Sequence, residues 1–268
     1  MKKISYFILL LIVTFSCTPQ EKNEPVSEKS FDSDHLLMAT LWFQNSAEAK
    51  AMFLQTYKYA TYSLDKQLET NKSTNKKAIV FDIDETLLDN SPYEAYLIEH
   101  SELYNPDSWF KWEQNKSAKA LPGAVEFVNY AVSKGVEIFY VSNRKIASYD
   151  ATVENLVNVG FPMVDKDHVY LREEESSKES RRQAIIAKGY DILMLVGDNL
   201  SDFSDAFELE KCENRNDVVD SLQSLLGERF IMLPNPMYGD WEKEIFGGSY
   251  QISDTTKFEM LKDALISF

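Results

Sequence analysis

Ala78-Ile79-Val80-Phe81-Asp82-Ile83-Asp84-Glu85-Thr86-Leu87-Leu88-Asp89-Asn90 decides how the chain is read. An apolar run ends abruptly in two carboxylates one residue apart, the pattern of a buried strand and its carboxyl end. Side chains alternate along a strand, so Asp82 and Asp84 share a face if the extended geometry continues to a turn at Thr86. Open α/β sheets place their ligands at the carboxyl ends of buried parallel strands. A solvated acidic cap on a strand end would show the same two residues, so the rest of the chain decides.

Working outward, the pattern repeats. Val136 to Val141 reads as a second buried strand and runs into Ser142-Asn143-Arg144. Val169 to Leu171 is a short strand. Ile192 to Val196 is another, ending in Gly197-Asp198-Asn199-Leu200-Ser201-Asp202, and Phe230 to Leu233 is a further one. Helices are expected between them: Ala124 to Lys134 before Gly135, one ending at Val159 before Gly160, and one capped by Ser177 that runs to Lys188 before Gly189. This alternation predicts an α/β fold, a Rossmann-like parallel sheet with helices on both faces. Parallel strands bring Asp82/Asp84, Ser142 and Asp198/Asp202 to one edge.

Upstream, Asp34 to Leu68 reads as helical, with Asp34 as cap and Leu37, Leu41, Ala51, Leu54, Tyr57, Ala60 and Leu64 as the apolar stripe. Ser46-Ala47-Glu48 can start a second helix. Residues 91–120 read as irregular and rich in aromatics, a natural cap over the site. Trp109 and Trp112 in that stretch serve either the cap or the core. One domain over 33–268 is expected, with 33–70 and about 91–120 contributing a small, mostly helical cap region.

The N-terminus reads as a targeting segment. Lys2 and Lys3 precede a short apolar run from Ile4 to Phe15, so 1–16 is expected to be a signal peptide. Val13-Thr14-Phe15-Ser16-Cys17 is similar to a bacterial lipobox, although Thr14 stands where leucine is usual. Cys17 would then carry lipid and 17–32 would be a polar tether. An incidental cysteine after an ordinary signal is the alternative. The expectation is an exported protein, lipid-anchored to the bacterial outer membrane. Cys212 is the second of two cysteines and would have no disulfide partner.

The chain carries 28 basic and 43 acidic residues, a net charge of −15, which argues against a nucleic-acid polymer as partner. It does not exclude a phosphate ester, because a bound cation reverses the local sign. Three strand ends rich in carboxylates and hydroxyls supply what phosphoryl transfer through an aspartyl intermediate requires. A carboxylate attacks phosphorus, a second carboxyl shuttles the leaving-group proton, and a hard cation and donors hold the phosphoryl oxygens.

Phe81-Asp82-Ile83-Asp84-Glu85-Thr86 resembles the first motif of the haloacid dehalogenase superfamily, in its D-D-D-D acid phosphatase branch. The narrower resemblance is to class C acid phosphatases of the lipoprotein 5′-nucleotidase type. It rests on Leu41–Glu48, Asp82–Tyr93, Gly189–Ile192, Val196–Phe203 and Leu233–Trp241. The resemblance implies Asp82 as nucleophile and metal ligand, and Asp84 as general acid/base with its main-chain carbonyl on the metal. It implies Ser142 and Lys178 on the phosphoryl group, Asp198 as the last protein ligand to Mg²⁺, and Asp202 as its outer partner. Lys188 is the weaker rival of Lys178, which could also be a solvated lysine. Tyr238 is the first candidate for clasping the leaving group, followed by Trp109 and Trp112. Asn143 and Arg144 either touch substrate or lie on the surface. Glu175 stands where a more basic stretch is expected, which bears on substrate preference.

The expected activity is Mg²⁺-dependent hydrolysis of small phosphomonoesters, nucleoside 5′-monophosphates foremost. A phosphotransferase with the same residues, or a silent nucleotide-binding lipoprotein, is the alternative. A homodimer is expected from the resemblance only.

Overall fold

The computed structural model describes residues 33–268; the leader, Cys17 and tether expectations lie outside the described residues. In chain order the helices are α1 (Leu37–Asn45), α2 (Ala47–Thr70), α3 (Ser91–His100), α4 (Pro106–Asn115), α5 (Ala124–Ser133), α6 (Tyr149–Asn158), α7 (Glu179–Ala187), α8 (Arg215–Leu222), α9 (Asp240–Ile245) and α10 (Asp254–Asp263). The strands are β1 (Lys76–Phe81), β2 (Leu88–Asp89), β3 (Lys119–Ala120), β4 (Glu137–Lys145), β5 (Val169–Arg172), β6 (Tyr190–Gly197) and β7 (Phe230–Met232). The described residues, 33–268, belong to one compact unit.

Five strands make a parallel sheet in the order β5-β4-β1-β6-β7, with β1 at its centre. Alternation along β1 explains why it belongs there. Ile79 and Phe81 enter a core that also holds Phe53, Tyr57 and Leu64 of α2 and Phe127 of α5. Ala78 and Val80 face the other way, with Phe139 and Val141 of β4 and Ile185 of α7. Both faces are therefore buried, as the parallel reading requires. Each large side chain removed from water in this way contributes about 1.5–3 kcal/mol.

Three expectations change. The α2 stripe runs through Ala49, Phe53, Tyr57, Ala60 and Leu64, at helical spacing, while Leu37, Leu41 and Leu54 are exposed and Ala51 lies on the outer face. Ser46 caps α2, accepting from Ala49 N at 2.9 Å, but α1 follows a 3-10 turn and begins after Leu36, not Asp34. Residues 91–120 are not irregular. They form α3 and α4, and a short antiparallel ladder pairs Leu88 with Ala120 and Asp89 with Lys119. Pro92 and Pro106 sit in the first turns of these helices, where a missing N–H costs nothing.

The second buried strand also runs further than expected. β4 continues through Ser142, Asn143 and Arg144 to Lys145. Ser177 stands just outside α7, whose N-terminal boundary residue is Lys178. Among the described residues no helix is long and apolar enough to cross a membrane.

Candidate active site

The carboxyl ends of β1, β4 and β6 meet at one edge of the sheet. Asp82 follows β1 directly, and its N–H donates to Val196 O of β6 at 2.9 Å. Glu85 has φ +54 and turns the chain one residue before the expected turn at Thr86. The buried Glu85 carboxylate pins this loop by accepting from Asn90 N at 2.8 Å. Burial pushes the Glu85 carboxyl well above the usual range, and the charges of Asp84 and Asp198 push the same way.

Asp82, Asp198 and Asp202 place carboxylate oxygens within 4.8 Å of one another. Lys178 Nζ bonds Asp82 Oδ1 and lies 2.6 Å from Asp202 Oδ1. Lys178 is buried, whereas Lys188, at the far end of α7, bonds the Tyr170 hydroxyl on the surface. Both oxygens of Asp202 are occupied, because Oδ2 accepts from Asn199 N at 3.0 Å. Asp198 accepts from Thr86 Oγ1 at 3.3 Å and from Asn235 Nδ2 at 2.8 Å. Asp82 Oδ2 receives no hydrogen bond among the described residues.

Three carboxylates around one ammonium leave an excess of buried negative charge. Burial pushes Asp82 up to about 7 against the pull of Lys178, with Asp202 and Asp84 adding to the rise. Burial likewise raises Asp198 well above the carboxylate range, with Asp202 and Asp82 adding to it. An oxygen-rich, anionic cluster of this kind suits a hard divalent cation, which would remove that penalty. Asp198 is held only by the neutral donors Thr86 and Asn235, whereas Asp202 is tied to the Lys178 ammonium, so Asp82 and Asp198 would hold the cation by their side chains and Asp202 would stand behind them.

Asp84 has a different setting. Arg144 Nε and Nη2 donate to its Oδ1 at 2.9 and 2.7 Å, and Asn90 Nδ2 donates to the same oxygen at 2.8 Å. Ser142 Oγ donates to Asp84 Oδ2 at 3.3 Å and accepts from Arg144 N at 3.1 Å. Arg144 is therefore neither a surface residue nor simply a flank of Ser142. It is 3% exposed, and Glu113 Oε1 lies 3.9 Å from its Nε. Arg181 of α7 reaches over the end of β4, donating to Ser142 O at 2.6 Å and to Asn143 Oδ1 at 2.7 Å.

A cavity of about 670 Å³ opens over this edge, within the usual range for a small-molecule site. Asp82, Asp84, Lys178 and Asp198 lie in its wall, with Asn143, Trp109 and Tyr238. Trp112 does not line it. Its indole N–H donates to Asn90 Oδ1 at 2.8 Å, and its ring packs against the core, so the expectation that it clasps a leaving group is corrected. Glu175 lies outside the cavity, on a separate surface depression.

The pairing of Arg144 with Asp84, and the roles of Asn90, Glu85, Thr86 and Asn235 as hydrogen-bonding residues of the site, emerge only in the fold. Asn90 and Thr86 stand inside the quoted stretch, and Asn235 is flanked by Pro234 and Pro236 directly after a strand. Polar residues set between buried apolar ones or prolines are a usable signal, since a buried polar group needs a partner.

A parallel α/β sheet with an aspartate cluster and a buried lysine at its carboxyl edge defines the class to which the chain belongs. Residues 13–241 match the HAD superfamily, subfamily IIIB (acid phosphatase), and the chain is a member of that family. The class C acid phosphatase of Bacillus anthracis, solved with tungstate bound, is similar at 41% identity and a TM-score of 0.82. That similarity covers 88% of this chain and 98% of the Bacillus chain. Acid phosphatase 1 of Solanum lycopersicum is 30% identical over 166 residues, 59% of this chain and 57% of the tomato protein's length. Vegetative storage protein 1 of Arabidopsis thaliana is 28% identical over 221 residues, 80% of this chain and 71% of that protein.

Proposed function

We propose that this chain is a metal-dependent phosphomonoesterase acting on small phosphate esters, nucleoside 5′-monophosphates foremost, through an aspartyl-phosphate at Asp82. The observation that carries this reading is the open Oδ2 of Asp82, facing a cavity while Lys178 holds Oδ1. An oxygen so placed can attack phosphorus, and Lys178 beside it can receive a phosphoryl oxygen as charge develops there. That the Bacillus relative binds tungstate, a tetrahedral oxyanion, supports a phosphoryl site in this fold.

Asp84 is the proposed proton donor to the leaving oxygen and, in the second half-reaction, the acceptor from water. Its clamp to Arg144, Asn90 and Ser142 orients the carboxyl toward the cavity. Ser142, expected on the phosphoryl group, is fully buried and does not line the cavity, so its proposed part is to hold Asp84 through its hydroxyl. A Mg²⁺ ion held by Asp82 and Asp198, with the main-chain carbonyl of Asp84, would supply charge neutralisation between nucleophile and phosphate. Tyr238 and Trp109 stand on the cavity wall where an aromatic leaving group can stack.

The reading of Cys17 as a lipidated residue on an exported, membrane-anchored protein rests on residues 2–17 of the sequence. The activity is tested by phosphate release from nucleoside monophosphates, sugar phosphates and an aryl phosphate, with and without a chelator. Wild type is expected to turn over at least the aryl and nucleotide esters in Mg²⁺, and Asp82→Asn to lose turnover while folding normally. Full activity of Asp82→Asn would refute the mechanism.

A further inference from the structure

The Glu94 end of the cavity is built by elements other than the strand that carries Asp82. The N-terminal turn contributes Leu36, α3 contributes Glu94 and Leu97 one turn apart, and α9 contributes Glu242 and, just past its end, Phe246. The wall is mostly apolar, yet it contains two buried carboxylates. Their settings differ. Tyr250 donates its hydroxyl to Glu242 Oε2 at 3.2 Å, and His35 Nε2 lies 3.7 Å from Oε1. Glu94 is 5% exposed, and among the described residues no hydrogen bond reaches its carboxylate.

Glu94 lines the cavity, so its carboxylate depends on what fills that space, and an occupant that displaces water from it without donating a hydrogen bond leaves it unpaired. Burial pushes Glu94 up to about 7, the charge of Glu242 adds to the rise, and His35 draws it back. Lys257 also lines the cavity and is already engaged. What this end lacks is a hydrogen-bond donor directed at Glu94, and an occupant of the cavity can bring one.

We propose that Glu94 is a specificity residue, accepting a hydrogen bond from an amino nitrogen on the far edge of the leaving group. The ligand class is a phosphate ester of an amino-bearing heterocycle. The phosphate lies at Asp82 and Lys178, the ring passes Tyr238 and Trp109, and the amino group meets Glu94. This inference rests on the phosphomonoesterase reading above. It differs from aromatic stacking, which accepts any flat ring, because a buried acceptor penalises a ligand that leaves it unpaired.

The test compares adenosine 5′-monophosphate with purine riboside 5′-monophosphate, which lacks only the amino group. Both are measured with wild type, Glu94→Gln and Glu94→Leu, with thermal unfolding as the check on folding. Wild type is expected to favour the amino ester by at least about tenfold in kcat/KM, mainly through KM. Glu94→Leu is expected to bring the two esters within about twofold, and Glu94→Gln to fall between. No preference in wild type, or an undiminished preference in Glu94→Leu, overturns the proposal. Absence of phosphate release from both esters and from an aryl phosphate refutes the phosphomonoesterase reading instead. Calorimetric binding of adenosine against purine riboside then decides the role of Glu94 on its own.

Discussion

Arg144 holds Asp84 with two nitrogens, Nε at 2.9 Å and Nη2 at 2.7 Å from Oδ1, and does so from a position that is 3% exposed. The guanidinium and the carboxylate come from neighbouring strand ends, β4 and β1. Two fixed bonds to one carboxylate oxygen set the direction of a group proposed to move a proton. A single lysine ammonium could not reproduce that fork.

Arg144→Lys is therefore expected to lower kcat for alkyl phosphates by about 10²-fold and to affect good aryl leaving groups much less. A leaving-group series read as log kcat against leaving-group pKa checks this. Equal losses across the series would assign Arg144 to packing. Arg144→Met should cost about 3–5 kcal/mol in denaturant unfolding, because Glu113 and Asp84 lose their cation.

Gly197, the last residue of β6, is predicted to be intolerant of any side chain. A Cβ there would come within 2.6 Å of Asp202 Cβ. Gly197→Ala must displace Asp202 from Lys178, at a cost of about 1–3 kcal/mol in stability and with reduced turnover. Thermal unfolding and steady-state kinetics on the same preparation would show both effects together.

The two candidate tryptophan and tyrosine sites separate. Tyr238→Ala should raise KM for nucleotides more than for small aliphatic phosphates, since its ring lines the cavity. Trp112→Phe should leave that KM ratio unchanged and cost about 1 kcal/mol, the loss of one buried hydrogen bond to Asn90. A shifted ratio in Trp112→Phe would return Trp112 to the substrate.

Mg²⁺ should stabilise the folded chain, by about 2.7 kcal/mol at a hundred times its Kd, with chelation reversing the shift. Asp198→Asn should abolish this dependence, because it removes one of the two carboxylates assigned to the cation. Calorimetric scans with and without the ion provide the readout independently of turnover.

His168 links stability to pH away from the cavity. Burial lowers its pKa, but hydrogen bonds to Glu137 and Asp165 outweigh this, and the result is raised above 6.5. A raised folded value means that the stabilisation is full below the ordinary imidazole pKa and is lost as pH rises through the folded value. His168→Gln should therefore be most destabilising near about pH 5 and approach wild type in alkaline buffer. A difference that grows with pH would contradict the assignment.

Much of the site is legible in the sequence. Alternating apolar strands ending in Asp82, Ser142 and Asp198 could only be joined by helices into a parallel sheet, and a parallel sheet gathers those ends. Local periodicity carries this information because backbone hydrogen bonding repeats over a few residues. Lys178 is singled out only through the family resemblance, which asks for a lysine at a helix start before Asp198; its position alone would equally suit a solvated lysine.

The stripe on α2, the helices within 91–120 and the burial of Trp112 are not legible in the same way. Leu54 and Phe53 are adjacent in sequence, and only the packed sheet decides which of them turns inward. Arg144 gives no sign of its partner, since Asp84 lies 60 residues away along the chain. Glu94 reads like any helical glutamate until α9 and the N-terminal turn close around it. Strand order and the residue types at the sheet edge are thus written in short-range pattern. The partners of each charge, and the gathering of Glu94 and Asp82 into one cavity wall, come from long-range packing that no local repeat encodes.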